Sequence, residues 1–184
     1  LLSRLGDKVP AEFEAMLARR FEHEPVAYII GTRDFWTISL NVTPAVLIPR
    51  PDSETLIEAA VAHFGTDGPK RVLDLGTGSG ALLLAALSEW PGASGVGVDA
   101  SDVALAVASA NAKSLGLADR AVFALGDWGQ GLDERFDLIL CNPPYVESGA
   151  ALAAEVADYE PASALFAGED GLEDYHRLMP QFVR

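Results

Sequence analysis

A strand, a glycine-rich loop and a helix follow one another directly in the middle of this chain. Arg71–Leu75 predicts a strand, and Ala81–Trp90 predicts a helix. Between them, Gly76–Gly80 contains three glycines in five residues, which lets the backbone approach a ligand closely. This arrangement predicts an α/β fold with a ligand site at the carboxyl ends of its strands.

The alternation of strands and helices continues after the glycine loop. Ser94–Val98 predicts a strand that ends at Asp99, and Ser101 with Asp102 predicts the start of a helix that extends to about Leu115. The remaining predictions are strands at Ala121–Leu125 and Phe136–Leu140, a loop over Glu147–Gly171 and a helix over Leu172–Val183. Such alternation predicts a parallel sheet. Because the last strand is apolar on both faces, we expect neighbours on both of its edges, and therefore strands beyond those visible here.

A short stiff turn follows the last predicted strand, with the sequence Asn142-Pro143-Pro144-Tyr145. The side-chain oxygen of Asn142 and the backbone carbonyl of Pro143 could each accept one N–H of a planar –NH2 group. Tyr145 could pack over that group, and prolines offer no competing N–H. The turn therefore predicts a site that positions a weakly nucleophilic amine or amide beside an electrophile, rather than a proline-ended loop without chemistry.

Acidic residues after two other strands suggest a nucleotide pocket. Asp99 could bind two ribose hydroxyls, and the glycine spacing also fits the dinucleotide pattern. These features alone leave an NAD-dependent oxidoreductase open. Asp127 could accept the amino group of adenine while Trp128 covers the ring, although a surface turn with a core-facing indole would give the same sequence.

The composition argues against several other classes of protein. With 184 residues, 49% of them hydrophobic, the chain can bury a core, and it contains no apolar run long enough to cross a membrane. The net charge of −14, without a basic patch, disfavours direct binding to nucleic acid and suits a basic protein partner. The single cysteine, Cys141, excludes an internal disulfide and fits the cytoplasm, and the scattered histidines predict no metal site.

The first part of the chain predicts a helix and a β-hairpin. Within residues 1–24, five apolar side chains share one face of a helix that starts near Pro10: Val9, Phe13, Met16, Leu17 and Phe21. Pro25–Gly31 and Phe35–Leu40 are β-rich runs on either side of a polar turn, which predicts a hairpin.

Two prolines then fix an extended entry into another helix. Either Asp52 or Ser53 is predicted to cap this helix, which extends to about His63. The helix start lies beside Arg50, and the positive charge and free N–H groups there could bind a carboxylate.

These motifs together resemble the HemK-type glutamine methyltransferases. Asn-Pro-Pro-Tyr resembles motif IV of methyltransferases that act on exocyclic base amines or on protein glutamine. Ile-Pro-Arg-Pro-Asp-Ser-Glu at residues 48–54 and Gly-Asp-Trp at residues 126–128 resemble segments of the release-factor enzymes. In the sister enzymes that modify a ribosomal protein, the residue after the arginine is usually serine, whereas this chain has Pro51. The resemblance extends from about Pro25 to Leu178.

The resemblance implies a Rossmann-like class I methyltransferase sheet, incomplete at its C-terminal end, with S-adenosylmethionine as the cofactor. The residues that it assigns to the cofactor are Gly76, Thr77, Gly78, Ser79, Gly80, Asp99, Asp127, Trp128 and Asn142. It assigns catalysis to Asn142, Pro143 and Tyr145, which with Pro144 would also bind the substrate glutamine. The implied reaction methylates the side-chain amide of the glutamine in the Gly-Gly-Gln loop of peptide chain release factors, in the cytoplasm.

The resemblance also implies a division of the chain. Residues 1–24 would be the remnant of an N-terminal helical substrate-binding domain, residues 25–48 a β-hairpin linker, and residues 49–184 the methyltransferase domain without its last strands. Four alternative functions stay open: methylation of a ribosomal-protein glutamine, methylation of an adenine amino group in nucleic acid, NAD-dependent oxidoreduction, which the glycine pattern alone supports, and cofactor binding without catalysis.

Overall fold

The computed structural model describes residues 11–182, and their central element is a four-stranded parallel sheet. Its strands are β3 (Arg71–Leu75), β4 (Ser94–Asp99), β5 (Ala121–Leu125) and β6 (Leu138–Cys141). They lie in the order β5-β4-β3-β6, and each neighbouring pair is parallel. The predicted parallel α/β sheet is therefore confirmed, with a last strand that begins two residues later than the sequence indicated.

The strand order reverses beside β3, and this reversal creates a crevice. The chain proceeds outward from β3 to β4 and β5, and β6 then pairs with the opposite edge of β3. In the register of the sheet, Leu75 of β3 lies opposite both Val98 of β4 and Cys141 of β6. The loops that follow these three strands consequently leave the sheet side by side, where ligands bind in open α/β sheets.

Three longer helices cover one face of the sheet: α3 (Glu54–Phe64), α4 (Ala81–Glu89) and α5 (Asp102–Ser114). Helix α4 is buried throughout its middle because it packs between the sheet and α3. As predicted, α5 begins after Ser101, whose Oγ accepts a hydrogen bond from the N–H of Ala104 at 3.2 Å. A 3-10 turn at Pro51–Ser53 precedes α3, and neither predicted cap residue makes a side-chain capping bond there.

The other face of the sheet is less completely covered. Helix α7 (Glu173–Leu178) packs Leu178 against an apolar cluster of this face, which contains Leu73, Leu75 and Val98. Pro180 explains why α7 is shorter than the predicted helix, because proline cannot donate the backbone hydrogen bond that a continuing helix requires. Within residues 11–182, β6 pairs only with β3, so the expected second neighbour does not lie in this part of the chain.

The segment predicted as one long loop after β6 contains short elements. It includes α6 (Ala154–Ala157), a 3-10 turn at Ala162–Ala164 and a parallel bridge between Val146 and Phe166. Of the helices in the described part of the chain, none has the length and apolar character that spanning a membrane requires.

The hairpin prediction is wrong in its first arm. Residues Val26–Ile30 form the short helix α2, and the hairpin pairs β1 (Thr32–Phe35) with β2 (Ile38–Asn41). Tyr28 explains the difference, because its ring is buried and its hydroxyl donates to the carbonyl of Val46 at 2.6 Å. Tertiary packing here overrides the β propensity of the local sequence.

The sequence also predicted a helix at the start of the chain and a hairpin that links it to the main domain. Helix α1 (Ala11–Phe21) is present, and its apolar face is exposed: Phe13, Met16, Leu17 and Phe21. Val9 and Pro10, which the prediction included, lie outside the described residues. The hairpin packs directly onto the main domain, because Phe35 and Leu40 belong to the same buried cluster as α4. The division into three domains stays a prediction.

The close packing of α4 on β4 predicts a large effect of a small substitution. A Cβ added at Gly95 would lie 2.5 Å from Leu83 Cδ1 and 2.7 Å from the carbonyl oxygen of Val72. We expect Gly95→Ala to lower the free energy of unfolding by about 1–3 kcal/mol, measured by urea denaturation. Gly92→Ala is the matched control, because a Cβ there meets no atom within 4 Å, and it should change stability by less than about 0.5 kcal/mol. Equal stabilities of the two variants would contradict this account of the packing.

Candidate active site

A cavity of about 460 Å³ opens at the carboxyl edge of the sheet. Each strand contributes to its wall: Gly76 follows β3, Asp99 ends β4, Asp127 lies after β5 and Asn142 follows β6. The parallel register brings together these residues, which are distant in sequence, and the volume suits a small organic ligand. The structure thus gathers predicted cofactor residues from four separate segments around one space.

The glycine loop forms one wall of this cavity through three of its five residues: Gly76, Thr77 and Ser79. The backbone N–H groups of Gly76 and Thr77 both donate to the carbonyl of Val98, at 2.8 and 3.0 Å, which holds the loop against β4. Gly76 has a φ of 72°, and a Cβ there would lie 3.1 Å from the indole of Trp128. Glycine at this position therefore provides both the backbone conformation and the space that the indole occupies.

Asp99 organises the turn beside the glycine loop. One carboxylate oxygen accepts from the N–H of Gly78 at 2.8 Å, and the other accepts from the N–H of Ser101 at 3.0 Å. Each oxygen keeps a second lone pair, so the carboxylate can still accept from a ligand hydroxyl. Gly78 and Gly80 themselves do not border the cavity, and Gly80 instead packs closely against Leu84 at the start of α4.

Asp127 and Trp128 border the cavity, but both also make contacts that the sequence did not reveal. Arg177 of α7 donates to both carboxylate oxygens of Asp127 at 2.7 Å, and Gln130 donates to one of them at 2.5 Å. One oxygen, Oδ1, keeps a free lone pair that an amino group could use. Trp128 also packs against the apolar cluster that contains Leu73, so its indole serves the core as well as the cavity wall.

A second cavity, of about 810 Å³, adjoins the first, and Asn142 borders both. Pro143 and Tyr145 line the second cavity, whereas Pro144 lines the first. The Nδ2 group of Asn142 donates to Ser53 Oγ at 3.2 Å, which leaves its side-chain oxygen available as an acceptor. Tyr145 is 62% exposed and therefore accessible to a ligand in the second cavity.

Arg50 also lies between the two cavities. The sequence did not identify the residue that forms an ion pair with its guanidinium. The carboxylate predicted beside Arg50 is that of the protein's own Glu160, at 2.6 Å. The second oxygen of Glu160 accepts from the N–H of Ile48 at 3.1 Å, and the Glu160 side chain is only 2% exposed. This buried carboxylate joins the segment before α3 to the loop after β6.

Asn111 of α5 is a second buried polar residue that the sequence did not single out. Its Oδ1 accepts from the backbone N–H and the Nδ2 group of Asn41, at 2.8 and 3.0 Å. Its Nδ2 donates to the carbonyl oxygens of Asn41 and Ser79, at 3.0 and 2.9 Å. Asn111 thus connects the hairpin to the glycine loop, and no residue pattern in the sequence predicts this long-range contact.

Two titratable groups border the cavities, Asp74 the first and Cys141 the second. Burial raises the pKa of Asp74 to about 6, although hydrogen bonds from Thr77 Oγ1 and Leu83 N–H oppose the shift, and nearby Asp99 adds to it. Burial also raises the pKa of Cys141 to about 12, so the thiol stays protonated and behaves as a small apolar side chain. Within residues 11–182, no group of three or more His, Cys, Asp or Glu side chains is placed to hold a metal ion.

Comparison with models of known protein families shows which family the chain belongs to. A profile of the methyltransferase domain matches residues 67–169, which is more than half of the chain. The chain belongs to this methyltransferase-domain family. A profile of the PrmC N-terminal domain also matches residues 2–31, so the methyltransferase domain follows a segment of a second recognised type.

Individual relatives agree with this assignment. The chain is 50% identical over 170 residues to a release factor glutamine methyltransferase of Rhodospirillum rubrum, and the match covers 91% of this chain and 52% of that protein. The chain spans about half the length of the curated relatives that it matches.

Solved structures confirm the class I methyltransferase fold. The hMettl16 catalytic domain, solved with a 3'UTR hairpin, has a TM-score of 0.66 and 16% identity, and the match covers 93% of this chain and 73% of that one. A 16S rRNA N2 methyltransferase of T. Thermophilus, solved with AdoMet and guanosine, has a TM-score of 0.53 and 27% identity. That second match covers 66% of this chain and 34% of the other.

The bonds of Asn111 predict that this residue supports the methyltransferase domain. Asn111→Ala would leave the N–H of Asn41 and the carbonyl of the buried Ser79 without their protein partners, so we expect it to lower the free energy of unfolding by about 2 kcal/mol. Ser109→Ala, at an exposed position of the same helix, is the control and should change stability by less than about 0.5 kcal/mol. Urea denaturation measures both variants, and a stable Asn111→Ala protein would show that these bonds contribute little.

The raised pKa of Asp74 predicts a pH-dependent stability. Because the folded domain holds this proton up to about pH 6 and the unfolded chain releases it near pH 3.8, Asp74 favours folding below pH 3.8 and loses this contribution as the pH rises through 6. The loss is on the order of 3 kcal/mol. Asp74→Asn carries no titrating group, so its stability relative to the wild type should increase between pH 4.5 and pH 7.5 in urea denaturation. If the free energies of unfolding of Asp74→Asn and the wild type differed by the same amount throughout this pH range, that result would contradict the raised pKa.

Proposed function

We propose that this protein transfers a methyl group from S-adenosylmethionine to the side-chain amide nitrogen of a release-factor glutamine. The observation that carries the proposal is the position of Asn142 where the two cavities meet. A methyl donor in one cavity and an amide in the other would approach each other beside this residue. The name of the Rhodospirillum rubrum relative supports release factors as the substrate.

The first cavity fits S-adenosylmethionine in its size and in its polar groups. The sequence prediction named Gly76, Thr77, Gly78, Ser79, Gly80, Asp99, Asp127, Trp128 and Asn142, and all of them except Gly78 and Gly80 border this cavity and are the proposed contacts. Asp99 and Asp127 keep lone pairs for the ribose and the adenine amino group, and Trp128 offers an aromatic face. Asp74 Oδ1 is buried in this wall and accepts no hydrogen bond from the described residues, so it can accept from the bound molecule. The bound cofactor supplies an electrophilic methyl group on a positively charged sulfur.

The proposed role of the Asn-Pro-Pro-Tyr turn is to hold and orient the glutamine amide. Asn142 Oδ1 and the carbonyl of Pro143 accept its two N–H groups, while Tyr145 packs over its plane. Both acceptors increase electron density on a nitrogen whose lone pair is otherwise delocalised, and they favour the pyramidal geometry of the transition state. The nitrogen gains the methyl group and loses one proton to water. Position and hydrogen bonding therefore account for the catalysis without a covalent enzyme intermediate.

The second cavity and the net charge suit a protein substrate. The wall of this cavity is largely apolar beyond the Asn-Pro-Pro-Tyr turn and includes Leu47, Leu56, Val156 and Leu165. The charge of −14 repels nucleic acid and attracts basic proteins, so we propose release factors without direct nucleic-acid binding. On this proposal the protein acts in the cytoplasm, where translation takes place.

The match to the PrmC N-terminal domain suggests a role for the first residues of the chain. We propose that residues 1–24 belong to a helical domain that helps to hold the release factor. The exposed apolar side chains of α1, such as Phe13 and Phe21, are consistent with packing against a further part of such a domain.

The proposed function predicts the effect of Asn142→Ala. This change removes one acceptor for the substrate amide, so we expect methyl transfer to fall by about a hundredfold or more. The Kd for S-adenosylmethionine should rise by no more than about tenfold, because Asn142 is only one of several proposed cofactor contacts. Mass spectrometry of a release factor after incubation measures the methyl group on the Gly-Gly-Gln glutamine, and calorimetry measures cofactor binding. Ser109→Ala is the control variant and should retain full activity. Wild-type turnover by Asn142→Ala would contradict the proposed role.

Two further substrates in the same assay test the choice of partner. A ribosomal protein that carries a methylatable glutamine and an RNA hairpin are incubated in parallel with the release factor. Methylation of the ribosomal protein alone would preserve the chemistry and overturn the substrate, and methylation of the RNA alone would identify a base-amino methyltransferase. Cofactor binding without methylation of any of the three would favour a non-catalytic binding protein.

A further inference from the structure

We propose that Ser53 is a positioning residue that holds the Asn142 side-chain amide in place where the two cavities meet. This inference rests on the function proposed above, because it concerns how Asn142 presents its oxygen to the substrate. Ser53 lies 89 residues before Asn142 in the chain, yet its Oγ is 3.2 Å from Asn142 Nδ2. Both residues border both cavities, so the hydrogen bond lies at the junction where methyl transfer would occur.

The hydroxyl of Ser53 is available for this bond because it has no capping role. Ser53 occupies the N-cap position of α3, where a serine oxygen commonly accepts from an N–H of the first helical turn. Its side chain makes no such bond in this structure, and the hydroxyl is directed to Asn142 instead. The local sequence therefore suggests a helix cap, whereas the structure indicates a contact with the candidate catalytic residue.

The direction of the Asn142 amide decides whether the site can accept a substrate –NH2 group. With Nδ2 bound to Ser53, Oδ1 is left to accept a substrate N–H. Rotation of the amide by half a turn would present Nδ2 to the substrate, and two donors cannot hydrogen-bond to each other. Because Asn142 precedes a proline, its backbone is restricted to extended conformations, and the rotation of the side-chain amide is the main freedom left. The Ser53 hydroxyl can accept from Nδ2 or donate to Oδ1, so it holds the side chain at the junction, and its bond to Nδ2 is the arrangement that leaves Oδ1 to the substrate.

Ser53 is itself held in place by a partly buried ion pair. The backbone N–H of Ser53 donates to the carbonyl of Arg50 at 3.0 Å. The guanidinium of Arg50 is 2.6 Å from the carboxylate of Glu160, whose second oxygen accepts from the N–H of Ile48. Because Glu160 is buried, these contacts form a continuous support from the loop after β6 through Ser53 to Asn142.

Kinetic comparison of Ser53→Ala and Ser53→Thr tests this role. Ser53→Ala removes the acceptor, so we expect kcat to fall about tenfold, with little change in KM or in the Kd for S-adenosylmethionine. Ser53→Thr keeps the hydroxyl and should remain within about threefold of the wild type. In the Asn142→Ala background, Ser53→Ala should cause no further loss, because the amide that it orients is absent. Equal losses in both backgrounds would indicate that Ser53 only supports the start of α3, and would overturn the proposal.

A spectroscopic measurement tests the hydrogen bond without any assumption about the substrate. The sequence contains three asparagines, Asn41, Asn111 and Asn142, so protein labelled with ¹⁵N-asparagine gives three side-chain amide signals. The Asn142 signal is identified by its loss in Asn142→Ala. In Ser53→Ala we expect its exchange with water to accelerate roughly tenfold, while the signal of the fully buried Asn111 stays unchanged.

The two measurements separate failure of this inference from failure of the proposed function. If the wild-type protein methylates none of the tested substrates, the proposed function fails, and the exchange rate alone decides whether Ser53 holds Asn142. Unchanged exchange in Ser53→Ala would overturn the positioning role even if release-factor methylation is established. Faster exchange together with lower kcat supports both the hydrogen bond and its catalytic effect.

Discussion

The register of three parallel strands, β3, β4 and β6, determines where the glycine loop, Asp99 and Asn142 lie relative to one another. Leu75 of β3 is opposite Val98 of β4 and Cys141 of β6, so these strands end at one level. The next residues, Gly76 and Asn142, therefore leave the sheet as neighbours although they are far apart in the chain. A shift of β6 by one residue would turn its side chains to opposite faces and move Asn142 away from the glycine loop. The site thus depends first on backbone pairing and only then on particular side chains.

Buried polar side chains then fix the loops that the sheet has brought together. Asn111 connects the hairpin to the glycine loop, and Glu160 connects the segment before α3 to the loop after β6. Both side chains have their hydrogen-bonding groups satisfied, so their burial holds the loops without leaving unpaired donors or acceptors. The two cavities consequently have walls whose relative positions are set by buried contacts.

The sequence predicted those features that depend on local pattern. The strands β3 and β5, the start of α5 and the turn after β6 all follow from residue periodicity, glycine and proline. Contacts between distant residues could not be predicted in this way, because no local rule pairs Ser53 with Asn142 or Asn111 with Asn41. The error at α2 has the same origin, because Tyr28 is buried against Val46 and this packing outweighs local β propensity. The ion pair between Asp127 and Arg177 was missed because it joins a loop to a helix near the end of the described residues.

The distribution of charge around the two cavities suits the proposed reaction. The first cavity is bordered by four aspartates, Asp74, Asp99, Asp127 and Asp174, and by two arginines that are each paired with a carboxylate. Such a wall favours a positively charged cofactor over its neutral product, which promotes product release. At the junction with the second cavity, the acceptor is the neutral amide of Asn142 rather than a carboxylate. A carboxylate there would be a competing nucleophile beside an electrophilic methyl group, whereas an amide oxygen accepts the substrate N–H and leaves the substrate nitrogen as the group that reacts.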